Sequence, residues 1–384
     1  MRTLLLLGDG ADLVRAAPIF AALRESGEDG MLAFTGRAED LRALEPLFAD
    51  LQVPQPDFCL EIDPGSHAQQ IVQAMQALEP VASRVRPDWI VLMGETDAAL
   101  TCAFVLSKLR AEVGFGIAHL EAGVREGDWR VADEANRILM DHLADVLLAP
   151  SYEAFASLTR EGIAKDRVAF VGSMLIDTLF ALLPRAIGLG YPGRFGLLRG
   201  GYVAASLEQP ATLGSPETLR AALEGMVRVA EEIPVAVVLT PAGRARVEEF
   251  GLGALLATLC DPRPEGIVEM LSLVEGAGVL LTDSAEMQVM ARGMGIPAVA
   301  LRTRPLRPAV LDRSQRVVQA PLTPAAILAA FRDAWSEGRS RPGMHCPEGW
   351  DGRAAMRAVQ ALLLYEPPDA ARIPPLATAP TLRN

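Results

Sequence analysis

Ile117-Ala-His119-Leu-Glu121-Ala-Gly123-Val-Arg125-Glu-Gly127-Asp-Trp-Arg130, continuing Val-Ala-Asp133-Glu134-Ala-Asn136-Arg137-Ile-Leu-Met-Asp-His142, is the stretch whose reading decides the fold. An apolar strand, Val113 to Ala118, delivers His119 and Glu121 to its carboxyl end, a glycine-containing loop follows, and a helix then opens on two acids. Open α/β sheets are built this way, and they bind ligands in the loops at the carboxyl ends of their strands. The charges have two compatible readings. Acids suit the positive end of a helix, and Asp133 stands four residues before Arg137, a spacing that holds an ion pair on one helical face. Glu121 lies outside that face, where burial among like charges and a neighbouring arginine can split carboxyl pKa values as acid–base chemistry requires.

Outward from this stretch the same alternation continues. Thr3 to Leu7 is an apolar strand closed by Gly8-Asp9-Gly10, before a helix from about Asp12 to Ser26 with Asp12 as its cap. Gly8 and Gly10 form a tight βα turn on the plain reading; on the functional one they let backbone N–H groups approach a phosphate. Further strands are Met31–Thr35, Phe58–Ile62, Trp89–Met93, Val146–Ala149 and Val168–Val171. Trp89 to Met93 is apolar throughout, so it belongs at the centre of a parallel sheet. Gly94-Glu95-Thr96-Asp97 follows it; capping is the plain reading of Asp97 and a site role the alternative for Glu95.

Residues 184–201, rich in Gly and Pro, read as a linker between residues 1–183 and a second alternating domain, 202–345. In that domain Gly278 to Thr282 is a strand ending at Asp283-Ser284. Either residue would cap a helix from Ala285 to Met294, whose free N–H groups are a natural diphosphate seat. Ile296 to Leu301 is followed by Arg302, Arg304 and Arg307, which can clamp phosphates or simply be exposed loop arginines. A helix within 346–365 closes the ordered part, and 366–384 reads as a loosely ordered tail. The expected fold class is α/β: two Rossmann-like domains facing across a cleft.

Composition bounds the function. The 384 residues are 50% apolar and carry a formal charge of −12 with no basic run, which argues against nucleic acid or an acidic membrane surface as partner. The four cysteines, Cys59, Cys102, Cys260 and Cys346, have neither close pairing nor metal-type spacing and suit a reducing cytoplasm. The amino-terminal apolar run is too short for a signal peptide's core and reads as a buried strand, and no transmembrane segment is visible.

His119-Leu-Glu121-Ala-Gly123-Val-Arg125, followed at short distance by Asp133-Glu134-Ala-Asn136-Arg137, resembles the signature of the non-hydrolysing UDP-N-acetylglucosamine 2-epimerases. The resemblance spans nearly the whole chain and implies the GT-B fold, a homodimer and no cofactor, neither NAD nor metal. The implied reaction converts UDP-N-acetylglucosamine to its manno epimer by elimination of UDP to a 2-acetamidoglucal and re-addition on the other face. It implies catalytic roles for Glu95, Glu121, Asp133 and Glu134, and substrate contacts from Gly8, Gly10, His119, Arg125, Arg137, Asp283, Ser284, Arg302 and Arg307. The chain departs from the family at several positions. Asp9-Gly10-Ala11-Asp12 stands where the family has Thr-Arg-Pro-Glu, and Ala205-Ser206-Leu207-Glu208-Gln209 where it has Gly-His-Arg-Arg-Glu. Glu286 and Met290 fall within the family's Asp-Ser-Gly-Gly-x-Gln-Glu-Glu, so a ribose-holding carboxylate is lost and a new acid faces the expected phosphate seat. The alternatives are therefore a member acting on another nucleotide sugar, or a sugar-nucleotide-binding protein without turnover.

Overall fold

The computed structural model describes residues 1–63, 65–125, 127, 132–301, 317–320, 322–344 and 346–365. Seven strands form the first sheet: β1 (Arg2–Leu7), β2 (Asp29–Phe34), β3 (Phe58–Cys59), β4 (Trp89–Leu92), β5 (Gly116–Leu120), β6 (Val146–Ala149) and β7 (Val168–Phe170). Their order is β3-β2-β1-β4-β5-β6-β7, parallel throughout. Five more form the second: β8 (Val203–Leu207), β9 (Val235–Leu239), β10 (Val279–Thr282), β11 (Ala298–Leu301) and β12 (Val317–Ala320), also parallel, in the order β12-β11-β10-β8-β9. β4, β6, β8 and β10 are buried at every residue, because helices cover both faces and no polar alternation is needed.

Each sheet has one point where the strand order reverses, between β1 and β4 in the first and between β8 and β10 in the second. Connections there leave on opposite faces of the sheet, which opens a crevice at the carboxyl ends of those strands. The four strand ends carry Gly8–Asp12, Gly94–Asp97, Ser206–Gln209 and Asp283–Glu286.

Several local expectations shift. His119 is inside β5, which starts at Gly116 rather than Val113, and Glu121 follows the strand directly. The first helix runs Gly10–Glu25 and its cap is Asp9, whose Oδ1 accepts from the Asp12 N–H at 2.9 Å; this draws Asp12 into the first helical turn. Thr96, rather than Asp97, caps the Asp97–Val113 helix, since its hydroxyl accepts from the Ala99 N–H at 3.2 Å. Residues 184–189, expected in the linker, are the last turns of the Met174–Leu189 helix, which ends at Gly190 in the left-handed region, and Tyr191 beyond it is already buried in core with Leu271 and Val274. The connection between the sheets is therefore shorter than its Gly and Pro content suggests.

The Ala354–Leu364 helix returns to the first sheet, where Ala355, Ala358, Val359 and Leu362 pack in core with Leu5, Ile19 and Trp89. Asp177 serves as its cap from a distance, accepting from the Ala354 N–H at 3.1 Å and the Ala355 N–H at 2.8 Å. Arg302, Arg304, Arg307 and the 366–384 tail lie outside the described residues. Among the described residues, no helix is long and apolar enough to cross a membrane.

Candidate active site

Arg15 stands at the centre of the crevice, on the Gly10–Glu25 helix that leaves β1. Its Nε donates to Glu121 Oε2 at 2.9 Å and its Nη2 donates to Glu286 Oε1 at 3.1 Å. Glu121 follows β5 in the first domain and Glu286 follows β10 in the second, so one guanidinium ties both crevices into a single cleft. The Arg15 side chain is 9% exposed. Burial disfavours its charge, but Glu121, Glu286, Asp12 and Glu95 together raise its pKa above the usual arginine value.

Glu121 adopts φ 59°, in the left-handed region that side chains other than glycine seldom occupy. Strain of this kind persists where surrounding structure overdetermines it, and it concentrates at functional sites. The surroundings here are firm. Gly123, at φ 82°, passes so close to the next helix that a Cβ would stand 2.3 Å from the Ala154 carbonyl oxygen, and its N–H donates to Asp141 Oδ2 at 3.0 Å.

Asp141, fully buried, gathers the same loop. His119 Nδ1 lies 2.6 Å from its Oδ1, and Arg125 Nη2 donates to its Oδ2 at 2.6 Å. Burial works against this carboxylate, but His119 and Arg125 outweigh it and hold its pKa below the usual range. Arg125 also donates to both oxygens of Glu161 and, through Nη1, to the Val124 carbonyl. His119 and Arg125, expected at the substrate, are thus bonded within the frame beneath Glu121.

A second carboxylate group forms at the β4 end. Arg137 Nη2 donates to Glu95 Oε1 at 2.6 Å and Nη1 to the buried Glu134 at 3.0 Å. Asn136 Nδ2 donates to the Glu95 carbonyl at 2.8 Å and to Asp97 Oδ1 at 3.0 Å, tying the β4 loop to the Ala132–Leu143 helix. The helical ion pair of Arg137 is with Glu134, three residues earlier, and Asp133 is exposed. Glu95, Glu121 and Glu134 are therefore anchored by Arg15 and Arg137, arginines on this domain's helices.

Asp12 is a buried acid between the two groups. Its Oδ2 accepts from the Gly8 N–H at 2.8 Å, and a Cβ on Gly94, at φ 71°, would stand 2.9 Å from its Oδ1. Burial, then the neighbouring Asp9, push its pKa up to about 7, against the pull of Arg15. Gly8 thus donates inward to a carboxylate, and a Cβ on Gly10 would press on Leu44 and Leu47 at 3.2 and 3.3 Å.

Across the cleft, Asp283 is fully buried and accepts from the N–H groups of Glu208 at 2.9 Å and Gln209 at 3.2 Å, fixing the loop after β8. Ser284 is the helix cap, accepting from Met287 N–H at 3.2 Å. Sequence reading did not single out Arg15 or Asp141, and took Asp12 only as a helix cap. For Arg15 a signal existed: one arginine interrupts an apolar run from Leu13 to Leu23 that is otherwise suited to burial. Among the described residues, no cluster of three or more His, Cys, Asp or Glu side chains is placed to hold a metal.

Residues 21–363 match the family described as UDP-N-acetylglucosamine 2-epimerase. The chain belongs to that family. The UDP-N-acetylglucosamine 2-epimerase of Methanocaldococcus jannaschii is 28% identical over 320 residues, covering 81% of this chain and 86% of the relative. A UDP-2,3-diacetamido-2,3-dideoxy-D-glucuronate 2-epimerase of Pseudomonas aeruginosa is 29% identical over 309 residues, covering 79% and 83%. Among solved structures, the M. jannaschii 2-epimerase in complex with UDP-GlcNAc and UDP superposes with a TM-score of 0.82 at 26% identity, over 94% of this chain and 99% of that one. The Neisseria meningitidis 2-epimerase shares the fold, with a TM-score of 0.81 at 19% identity over 94% and 100%. The 2-epimerases are isomerases, and the GT-B arrangement of this chain is theirs.

Proposed function

We propose that the chain epimerises UDP-N-acetylglucosamine at C2, interconverting it with the manno epimer. The observation that carries this reading is the pair of arginine-anchored carboxylates, Glu121 and Glu95, at adjacent strand ends of one cleft. Inverting C2 needs a proton removed from one face and another delivered to the opposite face, which requires two groups on different loops. Glu121 takes the C2 proton as the C1–oxygen bond breaks and UDP departs with that electron pair, leaving a 2-acetamidoglucal. Glu95, having taken a proton from water, then delivers it to the other face of C2 as a phosphate oxygen of UDP bonds to C1, and Glu121 returns the abstracted proton to water. Glu134 positions Glu95 through Arg137. Arg15 and the helix start at Ser284 offer positive charge to the leaving diphosphate. Arg302 and Arg307 would add to it.

A second substrate is favoured by the P. aeruginosa relative, which at 29% identity is as similar to this chain as the M. jannaschii N-acetylglucosamine enzyme at 28%. Both sugars carry the same C2 centre, so the same carboxylates serve either. Incubating the chain with each nucleotide sugar in deuterium oxide tests the reading. Deuterium at C2 with appearance of the manno product is expected; its absence from both sugars rejects 2-epimerisation.

For assembly, the reading is a homodimer through the outer helices of the first domain. Val72, Phe104 and Leu139 are each about half exposed, on the neighbouring helices His67–Val85, Asp97–Val113 and Ala132–Leu143. Sedimentation should give twice the chain mass for the native protein and a monomer for Phe104→Arg. All four cysteines are free thiols, in keeping with a cytoplasmic enzyme.

A further inference from the structure

Glu286 takes a place that suits any anion, its own carboxylate included. It lies in the first turn of the nine-residue Ala285–Gly293 helix, at the strand reversal of the second sheet, with Oε2 3.4 Å from the Ser284 hydroxyl and Oε1 3.1 Å from Arg15 Nη2. A helix start facing a guanidinium is an anion seat. Here the anion beside them belongs to the protein. The two partners differ in freedom: the Glu286 side chain is 36% exposed, whereas that of Arg15 is 9% exposed. Glu286 can turn to water, while Arg15 stays in place, held on its other arm by Glu121.

We propose that Glu286 is an internal stand-in for the substrate's phosphate: it holds the two domains together through Arg15, and the diphosphate of the incoming nucleotide displaces it. The ligand assignment rests on the 2-epimerase reading. Because Arg15 keeps Glu121 during the exchange, the base remains in register while the anion changes. Glu286 thereby sets how strongly an anion must bind to enter, and discriminates in favour of ligands carrying two phosphates over one.

The test is calorimetric titration of the full chain, of Glu286→Gln and of Glu286→Ala with UDP, UMP and inorganic pyrophosphate, each variant's fold checked by its unfolding midpoint. Both variants are expected to bind UDP and pyrophosphate about tenfold more tightly than the native chain, and to narrow the preference for UDP over UMP. X-ray scattering should give the ligand-free variants a larger radius of gyration than the native chain, the difference vanishing with UDP. Native and variant chains binding UDP equally would overturn the stand-in role and leave the 2-epimerase reading intact. UDP and pyrophosphate binding to none of the folded proteins would overturn both.

Discussion

The Thr178 hydroxyl donates to the Val14 carbonyl oxygen at 2.6 Å, from the Met174–Leu189 helix to the Gly10–Glu25 helix. Val14 is four residues before Pro18, so its carbonyl has lost the helical N–H that would have met it. Thr178 supplies the missing donor in a buried setting, one residue from Arg15. Thr178→Val is expected to cost roughly 1–3 kcal/mol by leaving that oxygen unsatisfied, while Thr178→Ser retains most of the stability. Urea unfolding of the two variants checks it.

Asp12 makes stability depend on pH. Its folded pKa of about 7 lies above the ordinary unfolded value of about 4, so the fold favours the protonated form. The favourable contribution is complete below about pH 4 and is lost as pH rises through 7. Asp12→Asn, a permanent mimic of the protonated form, should be close to native stability near pH 4 and progressively more stable than native toward pH 8. Melting temperatures across that range test this, and a difference independent of pH would contradict it.

Arg125 belongs to the frame. Replacing it with Gln breaks one of the two ion pairs of the buried Asp141, leaving His119 and the Gly123 N–H as its partners, and costs on the order of 3 kcal/mol. The expected result is a large fall in unfolding midpoint, with KM little changed for the fraction that remains folded. A raised KM at native stability would instead make Arg125 a substrate contact.

Much of this architecture was legible because local rules sufficed. The apolar run Val146–Ala149 is β6 at both ends, and the fully apolar run from Trp89 is β4, inside the sheet between β1 and β5. The site was legible only in part. Glu121 and Glu95 declare themselves as acids at strand ends, but the Arg15 bridge joins residues 271 positions apart, a relationship that no periodicity records. Asp283 and Ser284 compete for one cap in sequence; they separate in the fold because Asp283 is occupied by the Glu208 and Gln209 N–H groups. Likewise, glycine and proline between 184 and 201 mimic a loop, yet Pro184 lies inside a helix.

The central claim is that Glu121, strained at φ 59° and held by Arg15, removes the C2 proton. Deuterium exchange at C2 of UDP-N-acetylglucosamine, followed by NMR in deuterium oxide, compares the native chain with Glu121→Gln most directly. Steady exchange in the native chain and a loss of at least a hundredfold in the variant, with its fold intact, are predicted. Exchange at the native rate in Glu121→Gln would contradict the account.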